Sequence, residues 1–233
     1  MKFETYLLQT IDRTPNVKSF RFPRPIELNY LPGQYFFIKI KNKEKTLKKH
    51  FSFSSSPSEK KYIEFTKKLS ESEFSYTLKK LAKNSWIEIE APYGNFTFSG
   101  EHDKIALLAG GIGITPFRSI CKFCTDKQLP TRITLIYGNQ TAKDIAFKRE
   151  LEEMSKQNIN LKIVLTVNEG NKNWKGLTSF INLEMIKKEI PDYNERIFYL
   201  CGPPGMVKVL KRTISELGVS DKKIKVEYFP GYQ

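Results

Sequence analysis

"LLAGGIGITPFRSI", Leu107 to Ile120, places three glycines within four residues between an apolar run and an amphipathic one. The run Ile105 to Ala109 suits a strand buried on both faces, and Thr115-Pro116 suits a helix start. Thr offers a capping hydroxyl, and Pro is tolerated at the first helical position, where its missing N–H costs nothing. Between them Gly110, Gly111 and Gly113 let the chain turn sharply. They leave no Cβ over the helix N-terminus, where free N–H groups and the helix dipole favour an anion such as a pyrophosphate. The usual dinucleotide fingerprint G-x-G-x-x-G is not met, because Pro116 stands where the third glycine belongs. Alone, the stretch reads equally as a tight strand-to-helix connection or as a dinucleotide cradle.

Downstream of "SGEHDK", Ser99 to Lys104, strand and helix patterns alternate. Ile105 to Ala109 precedes Pro116 to Thr125, Ile133 to Tyr137 precedes Asp144 to Ser155, and Leu161 to Val167 precedes Leu183 to Ile190. Ile197 to Leu200, a helix from Pro204 to Leu217 and a strand from Lys223 to Phe229 complete the series. This grammar predicts a doubly wound parallel sheet, with ligands outside the carboxyl ends of its strands. Upstream the period is two: Tyr6 to Ile11, Val17 to Phe22, Gln34 to Ile40, Phe51 to Ser55, Tyr62 to Thr66 and Trp86 to Ile89. These six strands, interrupted by one helix from Glu73 to Leu81, predict a small antiparallel β-barrel. The expected division is residues 1–98 for the barrel and 99–233 for the α/β half.

The 233 residues are 39% hydrophobic and 27% charged, an ordinary globular composition without a segment of membrane-span length. Met1-Lys2-Phe3-Glu4 leads into a strand pattern rather than a signal peptide, so a cytoplasmic protein is expected. Three cysteines make no disulfide framework. Cys121 and Cys124 fall on the helix after the glycine turn and read as packed thiols, since too few soft ligands remain for a metal or an iron–sulfur cluster. The net charge of +14 gathers partly in Lys41, Lys43, Lys45, Lys48 and Lys49. No nucleic-acid motif surrounds this tract. It is either a solvated surface or a landing face for an acidic partner.

Four further stretches carry chemistry. "KHFSFSSSP", Lys49 to Pro57, brings a cation, an aromatic ring and a hydroxyl together on a strand, and all three are expected on one face. A flavin needs that set: charge for its pyrophosphate, a flat apolar wall, and a small polar group near N5. "ESEFSYTLKKL", Glu71 to Leu81, reads as a helix whose Ser72 and Ser75 offer hydroxyls and N–H groups to phosphate. "YLCGPPGM", Tyr199 to Met206, is a second strand-to-helix turn. "VEYF", Val226 to Phe229, sets a carboxylate among aromatics.

In this order the stretches resemble the ferredoxin reductase-like flavoprotein family, in which an FAD-binding barrel joins a nicotinamide-binding domain. Lys49, Phe51, Ser52 and Ser55 occupy the positions of its Arg-x-Tyr-Ser/Thr-x-x-Ser motif. Lys49 keeps the charge without the bidentate fork, and Phe51 keeps the ring without the phenol. The phosphate-binding Gly-x-x-Ser appears as Ser72-Glu73-Phe74-Ser75. His50, Thr66 and Lys68 join this implied flavin set. The resemblance assigns Gly110, Gly111, Gly113, Thr115, Cys201, Gly202, Pro203 and Met206 to the nicotinamide cofactor. "GNQTAKDI", Gly138 to Ile145, is similar to the NADH loop of the cytochrome b5 reductase branch and supplies Asn139, Gln140 and Asp144. Asp144 would accept from ribose hydroxyls and repel a 2′-phosphate, which favours NADH, while Lys143 and Lys148 leave NADPH open.

The implied activity is hydride transfer from NADH to FAD and onward passage of electrons to an acceptor, with an acidic electron carrier as the expected partner. An oxygenase or iron–sulfur complex, a small-molecule acceptor, or a non-enzymatic binder are the alternatives. In this scheme Ser52 lies near flavin N5, Cys201 approaches the nicotinamide, and Glu227 relays protons or orients Cys201. Phe229 covers the flavin face, with Tyr232 as its rival.

Overall fold

The structure, a computed structural model, describes residues 1–229; Tyr232 lies outside them. The N-terminal part holds β1 (Lys2–Tyr6), β2 (Gln9–Thr14), β3 (Val17–Pro23), β4 (Tyr35–Asn42), β5 (Lys45–Ser52), β6 (Tyr62–Lys68), α1 (Glu73–Lys80) and β7 (Trp86–Tyr93). Two antiparallel sheets form, ordered β1-β7-β4-β5 and β2-β3-β6, which adjoin where β5 meets β6 and β1 meets β3. Alternation explains the inward faces: Phe36, Ile38 and Ile40 of β4 are fully buried, as are Phe20 and Phe22 of β3. Phe65 is the hub of this core, stacked at 5.1 Å on Phe20 and 4.4 Å on Phe51.

Two of the expected strands are placed differently enough to change the strand count or the edge. The apolar stretch from Tyr6 to Ile11 divides between β1 and β2, giving seven strands in place of six. The strand expected from Phe51 to Ser55 instead occupies Lys45 to Ser52. Its lysines lay outside the expected strand, yet the ladder with β4 runs from Asn42↔Lys45 to Tyr35↔Ser52. Backbone pairing forms that edge whatever the side chains, and charged residues suit an exposed edge.

The C-terminal part continues with β8 (Lys104–Gly110), α2 (Ile114–Asp126), β9 (Arg132–Thr141), α3 (Lys148–Gln157), β10 (Leu161–Glu169), β11 (Leu177–Thr178), α4 (Leu183–Glu189), β12 (Ile197–Gly202), α5 (Pro204–Glu216) and β13 (Ile224–Tyr228). Its six strands run parallel in the order β11-β10-β9-β8-β12-β13. β8 shows why the sheet is covered on both faces. Ile105, Leu107 and Ala109 join the core that also holds Phe117 and Ile120 of α2 and Leu151 of α3. Ala106 and Leu108 join the opposite core, with Ile186 of α4 and Leu210 of α5. Strand order reverses between β8 and β12, so a crevice opens at their carboxyl ends, where Gly110 and Cys201 lie. No helix among the described residues is long and apolar enough to cross a membrane, and no His/Cys/Asp/Glu group among them could hold a metal.

Candidate functional site

The glycine turn has a double use. After β8 the chain makes a 3₁₀ turn, Gly111–Gly113, and α2 starts at Ile114. Thr115 is therefore not the cap: Gly113 is, and Thr115 donates its hydroxyl to the Ile112 carbonyl at 3.2 Å. Pro116 sits in the first turn, where the N–H groups have no intrahelical partner. A Cβ on Gly113 would stand 2.4 Å from the Cys201 carbonyl oxygen, so this glycine lets two strand-to-helix turns touch. Gly111, with φ +50°, has open space beside it. Of the turn's glycines, Gly111 is the one that leaves room for a ligand.

A cleft of about 310 Å³ lies between the two parts of the chain. The N-terminal part lines it with Tyr35, Lys49, His50, Phe51, Ser52, Thr66, Lys67, Ser70, Ser72 and Phe74. The C-terminal part adds Thr115, Glu227, Tyr228 and Phe229. Strict alternation sends Phe51 and Ser52 to opposite faces of β5, contrary to the one-face expectation. Both still reach the cleft, because β5 ends at Ser52. The Phe51 ring is propped by Phe65 and by Phe74, whose centroid is 5.6 Å away.

At the start of α1, Ser72 is the N-cap, accepting from the Ser75 N–H at 3.3 Å and donating its hydroxyl to Ser75 Oγ at 3.0 Å. Ser70 joins them, its hydroxyl donating to Ser72 Oγ at 3.1 Å. Ser75 itself is buried under the cap. Lys68 is exposed and does not line the cleft, whereas its neighbour Lys67 does. Burial, with help from Lys49, pushes the Lys67 ammonium down to about 8.

Glu227 is register-paired with Cys201. Its Oε2 is buried without a hydrogen-bond partner, and burial pushes the carboxyl up to about 7. Cys201 is fully buried and is not among the cleft-lining side chains, so it does not reach the opening as expected. Burial, then the neighbouring Glu227, raises its thiol well above the ordinary value, which keeps it neutral. The Phe229 N–H donates to the Gly202 carbonyl at 3.0 Å, tying the cleft's aromatic wall to the second glycine turn.

The remaining predicted residues follow the carboxyl edge of the parallel sheet rather than the cleft. Met206 and Pro203 crowd Gly110, where a Cβ would meet the Met206 sulfur at 2.1 Å. Gly202 takes a positive φ of +155° against the Gly110 backbone. At the end of β9, Asn139 is buried with both amide atoms unpartnered. A buried amide in that state, beside the likewise unpartnered Tyr137 hydroxyl, keeps hydrogen-bonding capacity at the carboxyl edge of the sheet. Gln140 is held by donation to Glu169 and by acceptance from Asn168 at 2.9 Å. Asp144 Oδ2 accepts from the Thr141 N–H at 3.0 Å and its hydroxyl at 2.7 Å, closing a capping box.

Tyr35, Lys67, Ser70 and Tyr228 were missed in the sequence. Tyr35 had one available signal, its place opposite Ser52 across a ladder, but only register reveals that.

Residues 6–98 match the family model of an oxidoreductase FAD-binding domain, and residues 107–212 that of an oxidoreductase NAD-binding domain. The glycine betaine monooxygenase reductase subunit of Chromohalobacter salexigens is 26% identical over 219 residues, 91% of this chain and 60% of that protein. NADH-cytochrome b5 reductase 1 of Candida glabrata is 36% identical over 137 residues, 57% of this chain and 48% of that one. The chain thus spans about half to three fifths of the length of these curated relatives. The fold matches the cytochrome b5 reductase domain of Ulva prolifera nitrate reductase with TM-score 0.86, at 24% identity and 97% coverage of both chains.

Proposed function

Because the chain belongs to the ferredoxin reductase-like flavoproteins, joining an FAD-binding to an NAD-binding oxidoreductase domain, we propose that it is an NADH-dependent reductase delivering electrons to an acidic carrier protein. The observation that carries this reading is the shared cleft. Residues 1–98 would hold FAD and residues 99–233 NADH, and a flat ring from each would meet between Phe51 and Phe229.

FAD and NADH, when bound, supply hydride transfer from nicotinamide C4 to flavin N5, leaving the protein to orient the rings and exclude water. Phe51 would offer the flat wall for the flavin, and Ser52 a hydroxyl to the polar edge of its ring. Lys49, Lys67 and the Ser70–Ser72–Ser75 cap would receive the flavin's pyrophosphate, and His50 and Thr66 line the same cleft. Gly111 and the first turn of α2, with Thr115, would receive the pyrophosphate of NADH. The unpartnered Asn139 amide serves its adenosine side with Gln140, and the Asp144 carboxylate disfavours a 2′-phosphate. Glu227, with a carboxyl near 7, holds a proton at the cleft, while Cys201 supports it from behind as a neutral thiol.

For the carrier, the β4–β5 hairpin exposes Lys41, Lys43, Lys45, Lys48 and Lys49 and ends at the cleft. A negative partner steered there would arrive beside the ring edge. A second reading, the reductase of an oxygenase, is favoured by the Chromohalobacter relative's match over 91% of the chain. A cytoplasmic location, with its supply of reduced nicotinamide, completes the proposal. The test is anaerobic titration of the FAD-loaded protein with NADH. Bleaching of the visible band by one equivalent, and release of FAD on heating, are expected. A band that persists, or FMN in its place, overturns the reading.

A further inference from the structure

The seam between the two parts of the chain carries a row of alternating charges that neither cofactor site uses. From the barrel outward it runs Arg21, Glu64, Arg13, Glu150, Arg118 and Glu59. Arg21 Nε donates to Glu64 at 2.7 Å and Arg13 donates to the same oxygen at 3.0 Å. Arg13 also reaches Glu150 of α3. Arg118 of α2 donates to Glu150 through Nε at 3.0 Å and through its terminal nitrogen at 2.7 Å. It grips Glu59 of the N-terminal part with both terminal nitrogens, one at 3.1 Å. The Phe147 ring, with its residue in the left-handed region at φ 61°, meets both guanidiniums, Arg13 at 4.5 Å and Arg118 at 5.9 Å from its centroid.

Arg118 is only 3% exposed, and two of its contacts concern the cleft directly. It donates to the Ser54 carbonyl at 3.0 Å, and the adjacent Ser119 hydroxyl donates to the Ser55 carbonyl at 2.7 Å. Both carbonyls belong to the chain that leaves β5 immediately after Ser52. Thr115, one helical turn before Arg118 and Ser119, lines the same cleft from the other part. One helix therefore presents its first turn to the nicotinamide half-site and bolts its second turn to the flavin half-site.

We propose that Arg118, assisted by Ser119, is a positioning residue that sets the separation of the two half-sites and hence the distance over which hydride passes. The inference rests on the reading of the cleft as the meeting place of both rings. A planar fork with five donors can hold two carboxylates and a carbonyl at fixed angles, which an ammonium on a flexible stem cannot. Misplacement of reacting atoms by about 1 Å can cost on the order of a hundredfold in rate.

The test uses FAD-loaded Arg118→Lys and Ser119→Ala, mixed rapidly with NADH under anaerobic conditions. The limiting rate of flavin reduction is expected to fall roughly tenfold or more in Arg118→Lys and about threefold in Ser119→Ala. NADH affinity, read from the saturation curve, stays within about twofold. The kinetic isotope effect with NADH deuterated at the transferred C4 position should change together with the rate. A purely structural role would lower thermal stability and FAD retention, leaving rate and isotope effect in the loaded protein untouched; that result overturns the proposal. Should Arg118→Lys fail to fold, Ser119→Ala alone decides, with unaltered transfer counting against the clamp. A wild-type protein that NADH cannot reduce would refute the reading of the cleft instead, a distinguishable failure.

Discussion

Replacing Glu227 by Gln keeps the shape of the side chain and removes its charge. In the folded protein burial holds the carboxyl near 7, against an ordinary value of 4.5. The native state therefore keeps a proton that the unfolded chain gives up. Stability from this group is fully present below about pH 4.5 and is lost as the pH rises through 7. At about 1.4 kcal/mol per pKa unit, a shift of this size amounts to roughly 3 kcal/mol, and partial access of water at the cleft reduces that to about 2. Glu227→Gln should match the wild type at pH 4.5 and exceed it by about 2 kcal/mol at pH 8. Urea unfolding of the FAD-loaded proteins, followed by circular dichroism at both pH values, reads the difference. With a slope of about 2 kcal/mol per molar, the midpoints should separate by about 1 M at pH 8 and coincide at pH 4.5. The rate of flavin reduction should also show a step near pH 7 in the wild type that the Gln variant lacks. A stability difference of the same size at both pH values would refute the reasoning, because it would place the effect in packing and not in the buried charge.

Gly113→Ala should destabilise the protein by about 2–3 kcal/mol, since its Cβ meets backbone that cannot yield; the urea midpoint measures it. Asp144→Thr should narrow the kcat/KM preference for NADH over NADPH. It should also cost about 1 kcal/mol, because the same carboxylate closes the Thr141 capping box. Reversing charge in the double variant Lys43→Glu, Lys45→Glu should slow reduction of an acidic carrier at low ionic strength and abolish its salt dependence, leaving reduction of a neutral quinone unchanged. Equal salt dependence for both acceptors would make the hairpin an ordinary solvated surface.

The sequence by itself determined the order of elements and the chemistry of the two halves. Period two before residue 98, strand-helix alternation after it and the glycine turns at 110–113 and 202–205 are local signals, set by backbone geometry within a few residues. They were enough for the antiparallel part and the doubly wound part, while the flavin-nicotinamide pairing came from the resemblance of the motifs, in their order, to a known family. Tertiary structure alone decided which atoms meet. The sequence pointed to Lys68 for the flavin site, whereas register turns its neighbour Lys67 to the cleft, and it marked Cys201 by motif without revealing that the chain buries it. It gave no hint that Gly113 exists to admit the Cys201 carbonyl. Least visible was the Arg118 seam, whose partners Ser54, Glu59 and Glu150 lie 64, 59 and 32 residues away. Long-range ion pairs have no period and no fixed spacing, because they depend on how two separately folded layers dock, and docking is settled by surfaces that exist only once the strands have found their register.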